Sequence, residues 1–456
     1  MNNGIQVGLA ITVLAAVVGA GLYFVRPDAD LDGPAARLES ELKRAQEWGF
    51  VLTSDELNEA IPPASQNAAA DIEQLVALNE TDSKLGARIS DLRRSAQGPT
   101  TISKAKLEPF AHQLEAIDKA CAFPDVGFER DWDLGLTLTF DQVSSYRVGA
   151  RLLATRAEIR AADGDFKGAY EDLARIDKLA QFASKEPVIV GAMSASAIRV
   201  LRYQTIRRIA ILDKDDRGRL VELRDLIGDE LPPPPIAEIG MREAYSVLSL
   251  VRNFREFGGP AAFVTETNER SQVRAPSDPS RLKRSGLPDG KFERANLATT
   301  LMYWNDLISR INEPGLDPLT LKKHLDAAAI KVKSDRSRAR SIIREVMLPA
   351  NAYLQVYNAE ALRRLTTVFL DAFIYRVDHG RFPEAPVQAM RDPFSSRDLR
   401  YRSTGDTIKI WSSGNDLMDN NGTRRNGQAG FDEVIEYPPA GPAPQAPMQG
   451  PTRPAF

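Results

Sequence analysis

Residues 5–25 form an apolar run without a charged side chain. Its length matches the roughly 20 residues that one helix needs to cross the hydrocarbon core of a bilayer. The sequence therefore predicts a single transmembrane helix at 5–25, preceded by a short flank at 1–4. A cleaved signal peptide is the alternative, because Val18 and Ala20 have the small-residue spacing of a cleavage site. The absence of Lys and Arg before the run favours a permanent anchor.

The composition is that of a chain folded mainly in water. Its 456 residues are 43% hydrophobic and 27% charged, which is long enough for several packed units and too polar for a mostly membrane-embedded protein. The 59 Lys and Arg residues against 62 Asp and Glu residues give a net charge of −3, which argues against a nucleic-acid-binding surface. The single cysteine, Cys121, excludes an internal disulfide and a cysteine-based zinc site.

Apolar residues spaced by three and four predict a mainly α-helical fold with a helical-bundle body. We expect one helical region over residues 26–230 and a second over residues 231–350, which begins at a run of prolines. The second region contains a polar stretch near 258–293, which predicts a flexible insertion. The proline-rich end at 438–456 predicts a disordered tail.

One turn within the first region is marked clearly. The helical pattern is strong from residue 146 to residue 209, and the sequence AspGlyAspPheLysGlyAlaTyr interrupts it at 163–170. The pattern therefore predicts a hairpin of two packed helices. This hairpin resembles one tetratricopeptide unit, but an ordinary bundle is the preferred interpretation because no repeat of that period accompanies it.

The chain changes character over residues 351–437. A long helical pattern ends at 378–383, where AspHisGlyArgPhePro supplies a glycine cap and then a proline. Two strand-like runs follow at 399–402 and 407–411, and the SerThrGlyAsp between them predicts a hairpin. With a further run at 431–436, the sequence predicts a small α+β unit, a long helix with an antiparallel sheet.

The same segment carries a series of motif residues in a fixed order. They are Tyr375, Asp378, Gly380, Phe382, Pro383, Asp392, Pro393, Phe394, Ser412, Gly414, Asp416, Asp432, Glu433 and Val434. Their order resembles the globular part of the major pseudopilin of type II secretion, in which a long helix precedes an Asp-Pro-aromatic turn, a small sheet, a Ser-x-Gly-x-Asp loop and a closing strand. The resemblance implies a pseudopilin-like C-terminal domain at 351–437. Because residues 26–350 separate this unit from the apolar run, a filament subunit is not the expected role.

The pseudopilin resemblance also implies a calcium site in the loop that matches residues 412–432. The residue types agree, since calcium prefers several hard oxygen ligands on a flexible loop. Leu417 stands where that family has a glycine. The alternative is a polar turn whose Asn and Asp side chains bond their own backbone. The predicted ligands are Asp416, Asp419 and Asp432, with Asn415 and Asn420 as lesser candidates.

The beginning of the chain carries a second resemblance. After the apolar run come Pro62, Pro63, Asn67, Ala68 and Ala69. This opening looks like the start of large uncharacterised bacterial envelope proteins. The likeness brings no known activity with it. The apolar run and the pseudopilin resemblance lead us to expect a location in the bacterial inner membrane, with the bulk of the chain outside the cytoplasm.

These patterns favour a non-enzymatic protein. The chain has no Walker loop, Rossmann fingerprint, HExxH motif or GxSxG elbow, and its three histidines lie far apart in sequence. We expect a single-pass membrane protein that displays a helical body and a pseudopilin-like head and that binds or scaffolds protein partners in the envelope, in association with secretion. Neither a nucleic acid nor a small-molecule substrate is identified by the sequence.

Two alternatives stay open. Arg26, Arg37, Lys43 and Arg44 follow the apolar run, and the positive-inside rule then predicts a cytoplasm-facing, membrane-tethered adaptor. A hydrolase with an unrecognised site is the other alternative, and it requires several acids that converge in a concave pocket.

Overall fold

The structure is a computed structural model, and two predicted features of the sequence lie largely outside the part that it describes. The predicted transmembrane helix at 5–25 is outside it, as is the predicted tail beyond Pro438. Within the described part, no helix is both long enough and apolar enough to span a membrane. The described residues are 29–58, 61–82, 84–96, 104–228, 236–259, 263–265, 271–273, 275–283, 286–313, 316–346, 350–395, 397–414, 416–423 and 432–438.

Most of the described chain is α-helical, which confirms the mainly helical prediction. Short 3-10 turns connect several of the helices, and one small sheet follows the last helix. The helices are α1 (Ala29–Ala36), α2 (Leu38–Trp48), α3 (Ser54–Asn58), α4 (Ala69–Glu80), α5 (Leu85–Ala96), α6 (Ala111–Ala120), α7 (Asp141–Ala162), α8 (Phe166–Lys185), α9 (Ile189–Leu212), α10 (Arg217–Gly228), α11 (Ile236–Arg252), α12 (Lys291–Ile311), α13 (Pro318–Ser334), α14 (Ser341–Val346) and α15 (Ala350–His379).

Two hydrophobic cores organise these helices. The first lies among helices α4 to α10, and the second lies among α2 and α11 to α14. Helices α9 and α15 contribute to both cores. Ile189 of α9 belongs to the second core and Ile206 to the first, while Leu354 of α15 belongs to the second and Phe369 to the first. The two cores are therefore tied together by two long, continuous helices.

The predicted helical hairpin is confirmed. Helix α7 ends at Ala162 and α8 begins at Phe166. Gly164 has φ 85°, the left-handed conformation that glycine adopts readily after a helix. Asp165 then caps α8, because its Oδ1 accepts a hydrogen bond from the N–H of Gly168 at 2.9 Å. The hairpin packs against α9 in the first core.

The polar stretch at 258–293 contains regular structure in its described residues. Strands β1 (Phe263–Thr265) and β2 (Ser271–Val273) form an antiparallel pair, and α12 begins at Lys291. Buried Asn253 bonds the main chain of Lys283 in both directions, at 2.6 and 3.2 Å. Apolar periodicity does not reveal the two hydrogen bonds between Asn253 and Lys283, because they join residues 30 positions apart.

The C-terminal segment has the predicted long helix and small sheet. Strands β3 (Arg400–Ser403), β4 (Ile408–Ser412) and β5 (Glu433–Tyr437) pair in the order β3-β4-β5, and both pairings are antiparallel. Ile410 lies opposite Tyr401 on one side and Ile435 on the other. Strands β4 and β5 pack on α15, which ends where Gly380 adopts φ 74°.

Candidate functional site

The Asp-Pro-Phe turn and the Ser-Gly loop meet at one buried carboxylate, that of Asp392. Its Oδ1 accepts hydrogen bonds from Ser412 Oγ at 2.6 Å and from the N–H of Phe394 at 3.0 Å. Its Oδ2 accepts one from the N–H of Ser413 at 2.9 Å. With only 2% of Asp392 exposed, these bonds are shielded from water and fix the start of the loop against the turn.

Two of the three predicted ligands, Asp416 and Asp432, converge on the same residue of this loop. Asp432 Oδ1 accepts a hydrogen bond from the N–H of Asn420 at 3.0 Å, and Asp416 Oδ2 accepts one from Asn420 Nδ2 at 3.1 Å. The N–H of Gly422 donates to Asp432 Oδ2 at 2.6 Å. Burial raises the pKa of Asp432 above its usual range, and these N–H donors oppose that rise.

The third predicted ligand, Asp419, is directed toward the sheet. Its Oδ1 accepts a hydrogen bond from Trp411 Nε1 at 3.0 Å, and its Oδ2 accepts one from Arg400 Nε at 2.9 Å. The pKa of Asp419 is lowered chiefly by the Trp411 hydrogen bond, with a smaller contribution from the Arg400 charge. Asp419 therefore fastens the loop over strands β3 and β4.

Leu417 and Gly422 of the loop have a left-handed backbone conformation with positive φ. Leu417 has φ 63°, so it occupies the left-handed conformation that glycine takes without steric cost, and it is the position at which the pseudopilin resemblance implies a glycine. Gly422 has φ 71°, and a Cβ atom there would come within 2.6 Å of the Lys409 side chain. Gly422 thus lets the loop lie against β4 while its N–H reaches Asp432.

In the structure, the loop has the geometry of a polar turn whose Asp side chains accept hydrogen bonds from nearby groups. The sequence predicts such a turn as the alternative to a calcium site. All three carboxylates accept hydrogen bonds from donors within the unit. Within the described part of the chain, no three acidic, histidine or cysteine side chains are placed so that they could hold one metal ion. Asn415 lies outside that part. A calcium ion would need Asp419 to leave Arg400, and calcium binding stays a prediction.

A second candidate site lies on the helical body. It is a cleft of about 430 Å³, which we call the arginine cleft, and its walls come from the segments before α4 and α7, the end of α8, α9 and the start of α11. Residues that line it include Glu56, Phe128, Arg130, Trp132, Glu186 and Arg199.

One wall of the arginine cleft is a buried ion pair between Arg130 and Glu186. The Arg130 guanidinium donates to both carboxylate oxygens, at 2.5 and 3.1 Å, and Gln142 Nε2 donates to Oε1 at 2.7 Å. The guanidinium also lies 5.0 Å from the ring centroids of Phe128 and Phe140. The bidentate ion pair with Glu186 and the contacts with two aromatic rings together hold the Arg130 guanidinium in one orientation.

The other carboxylates that line the arginine cleft are also partnered. The pairs are Asp125 with Lys185 at 3.3 Å, Glu238 with Arg242 at 2.8 Å, and Glu56 with Thr53 at 2.7 Å.

The sequence did not identify this cleft, although it singled out one residue that builds its edge. Asn67 Oδ1 accepts hydrogen bonds from the N–H groups of Ala69 and Gly127, both at 3.0 Å, and its Nδ2 donates to the Gly127 carbonyl at 2.8 Å. A Cβ atom on Gly127 would come within 2.7 Å of Pro62 Cδ. The Pro62 to Ala69 segment thus positions the main chain beside the cleft.

Comparisons with known proteins assign no family to this chain. No protein-family model matches it, and neither the curated proteins nor the solved structures give a match. The pseudopilin and envelope-protein resemblances therefore stay predictions from the sequence, and the proposals below rest on the geometry of the described residues.

Proposed function

We propose that this chain is a non-enzymatic, single-pass membrane protein of the bacterial envelope. Residues 5–25 anchor it in the inner membrane, and the helical body and pseudopilin-like head are displayed on the outer face, where they bind or scaffold protein partners of a secretion-associated system. The apolar run and the ordered motifs at 375–434 support this proposal. The observation that carries it is the joint packing of head and body.

Head and body share one hydrophobic core. The Phe373 ring on α15 lies 4.5 Å from that of Phe369, 5.2 Å from that of Phe382 and 4.9 Å from that of Tyr437, measured between centroids. These residues belong to or pack on the same core as Ile206 of α9. Because the head shares its hydrophobic core with the body, the head is held at a fixed orientation relative to the body. A fixed orientation suits a role in display or scaffolding.

Polar contacts reinforce the same junction. Arg207 Nη1 of α9 donates to Thr366 Oγ1 at 2.9 Å, and Arg217 Nε of α10 donates to Asp378 at 2.9 Å. Helices α9 and α10 therefore cover one side of α15. This supports a fixed head rather than a subunit whose long helix packs against copies of itself.

Membrane orientation tests the display proposal against the cytoplasm-facing adaptor. We would introduce Val387→Cys, at a head position that is 56% exposed, in a Cys121→Ser background. The display proposal expects an impermeant maleimide to label this cysteine in intact spheroplasts. Labelling only after lysis would contradict display and support the adaptor.

The Cys121→Ser chain without Val387→Cys is the matched control for that labelling, and the unmodified chain shows what Cys121 itself contributes. Burial raises the pKa of the Cys121 thiol to about 12, so little of the reactive thiolate is present at neutral pH. We expect Cys121 to label poorly both before and after lysis. Signal from the engineered position then reports the accessibility of the head alone.

A further inference from the structure

The arginine cleft is lined by a buried cation, Arg199, that makes no hydrogen bond within the described part of the chain. Arg199 lines the cleft on α9 and is 4% exposed, and Arg202 is 2% exposed on the next turn of the same helix. Both guanidinium groups face the carboxylate of Asp177, which is 7% exposed.

Arg202 uses main-chain acceptors, whereas Arg199 has none. Arg202 donates to the carbonyl oxygens of Leu173 at 2.9 Å and Leu226 at 3.0 Å. In the part of the chain that the structure describes, no group accepts a hydrogen bond from Arg199, and its Nε is buried without a partner. The nearest acid oxygen, Asp177 Oδ1, is 3.7 Å from that Nε, which is too far for a hydrogen bond.

None of the neighbouring acids in the described part of the chain accepts a hydrogen bond from Arg199. Asp177 Oδ2 accepts a hydrogen bond from Gln181 Nε2 at 2.8 Å, and its Oδ1 is buried without a hydrogen-bond partner among the described residues. The acids Asp125 and Glu238 have basic partners of their own, and Glu186 is held by Arg130 on both oxygens. A buried guanidinium without acceptors is costly, because it has lost its hydration and gained no replacement.

We propose that the arginine cleft binds a small organic anion whose carboxylate or phosphate group accepts hydrogen bonds from Arg199. The planar guanidinium offers parallel N–H donors that match either oxyanion. The cleft volume, about 430 Å³, lies within the range of about 300–1,000 Å³ typical of small-molecule sites. Leu57, Ile61 and Val126 line the same cleft and provide apolar surface for the rest of the ligand. The site goes beyond the proposed function and is independent of membrane orientation.

Thermal unfolding of the full chain in detergent tests this site with three probes of similar shape. Benzoate and phenyl phosphate each carry an oxyanion on a benzene ring, while benzamide is neutral. At constant ionic strength we expect at least one anion to raise the midpoint in a concentration-dependent manner, and benzamide to leave it unchanged. The larger shift identifies carboxylate or phosphate as the preferred group. An equal shift with benzamide, or no shift with either anion, would overturn the proposal.

Substitutions locate the anion at Arg199. We expect Arg199→Gln to weaken binding of the effective anion by about tenfold to a hundredfold, because a charge-assisted hydrogen bond is lost. Arg44→Gln is the matched control outside the cleft, since Arg44 is 38% exposed and already paired with Asp306. Equal affinity of Arg199→Gln and the unmodified chain would overturn the assignment. If Arg199→Gln does not fold, the comparison of anion with benzamide on the unmodified chain decides alone.

Discussion

Arg224 donates a hydrogen bond from its Nε to Oδ1 of Asp371 at 2.7 Å, and this contact joins helix α10 of the body to helix α15 of the head. The Asp371 side chain is only 11% exposed, so the pair is partly shielded from solvent. Its neighbours Leu370 and Phe373 are buried in the core that body and head share. The polar and apolar contacts therefore act on the same part of α15, and neither part should unfold without the other.

Truncation of a shared core residue tests this joint unfolding. Phe373→Ala removes a fully buried ring with aromatic neighbours on α15, before β3 and on β5, so we expect a loss of about 3–5 kcal/mol in the free energy of unfolding. Chemical denaturation followed by circular dichroism and by tryptophan fluorescence should give one coincident transition that is shifted to lower denaturant. Val387→Ala, at an exposed head position, should change stability by less than about 0.5 kcal/mol. Separate transitions for the two signals would contradict a shared core.

The parts of the fold that the sequence predicted correctly are those with local signals. The turn between α7 and α8 depends on Gly164 and Asp165, and the end of α15 depends on Gly380. The hairpin of β3 and β4 follows from alternating residues on each side of a short turn. Each of these signals lies within a few residues of the structure that it specifies.

The parts that the sequence did not predict depend on residues far apart in the chain. Arg130 meets Glu186 and Asn67 meets Gly127 only after the helices have packed. Periodicity reports which face of a helix is buried, but it does not report which polar residues of other helices meet it. The unpartnered state of Arg199 is likewise a property of the packed structure.

Calcium binding by the C-terminal loop is a second prediction. A ligand that binds only the folded state raises the unfolding midpoint by mass action, so calcium should stabilise the full chain in detergent, and a chelator should reverse the effect. Asp416→Ala should abolish the shift. Asp406→Asn, in the exposed turn between β3 and β4, is the control and should keep it. The absence of a shift in the unmodified chain would reduce Asp416, Asp419 and Asp432 to the turn-forming roles that their hydrogen bonds describe.

The body depends on a buried charge network around Asp172. This carboxylate is fully buried and accepts hydrogen bonds from Arg156 at 2.6 Å and from Arg160 at 3.0 Å. Asp172→Ala leaves Arg156 buried with only Asp118 as its acid, and we expect a loss of about 3–5 kcal/mol in the free energy of unfolding.

The adjacent residue provides the matched control for Asp172. Glu171 is 50% exposed, and its carboxylate is 3.6 Å from Arg175 across one helical turn. Glu171→Ala should therefore cost less than about 0.5 kcal/mol by the same denaturation measurement. Similar losses for the two variants would show that the Asp172 network contributes no more than a surface ion pair.

Glu243 gives the protein a distinctive pH dependence. The side chain is buried on α11, and it accepts a hydrogen bond from the N–H of Ile189, the first residue of α9, at 2.8 Å. Burial raises the pKa of Glu243 to about 7 from a usual value of 4.5. Between these values the folded protein holds a proton that the unfolded chain has released. Stability should therefore fall as the pH rises from about 4.5 to about 7 and become level above that, with a total loss of roughly 3 kcal/mol from this group.

Glu243→Gln should remove this contribution, because the amide oxygen still accepts the Ile189 N–H hydrogen bond but the side chain no longer ionises. Chemical denaturation from pH 4.5 to pH 8 should show a shallower decline for the variant than for the unmodified chain, and the largest stability gain should be at pH 8. Glu238→Gln is the control, since Glu238 lies on the same helix but is 44% exposed and paired with Arg242. That substitution removes a carboxylate from the surface of the same helix, and we expect the variant to decline as steeply as the unmodified chain. If Glu243→Gln declines as steeply as the unmodified chain, the proton taken up on folding belongs to another group.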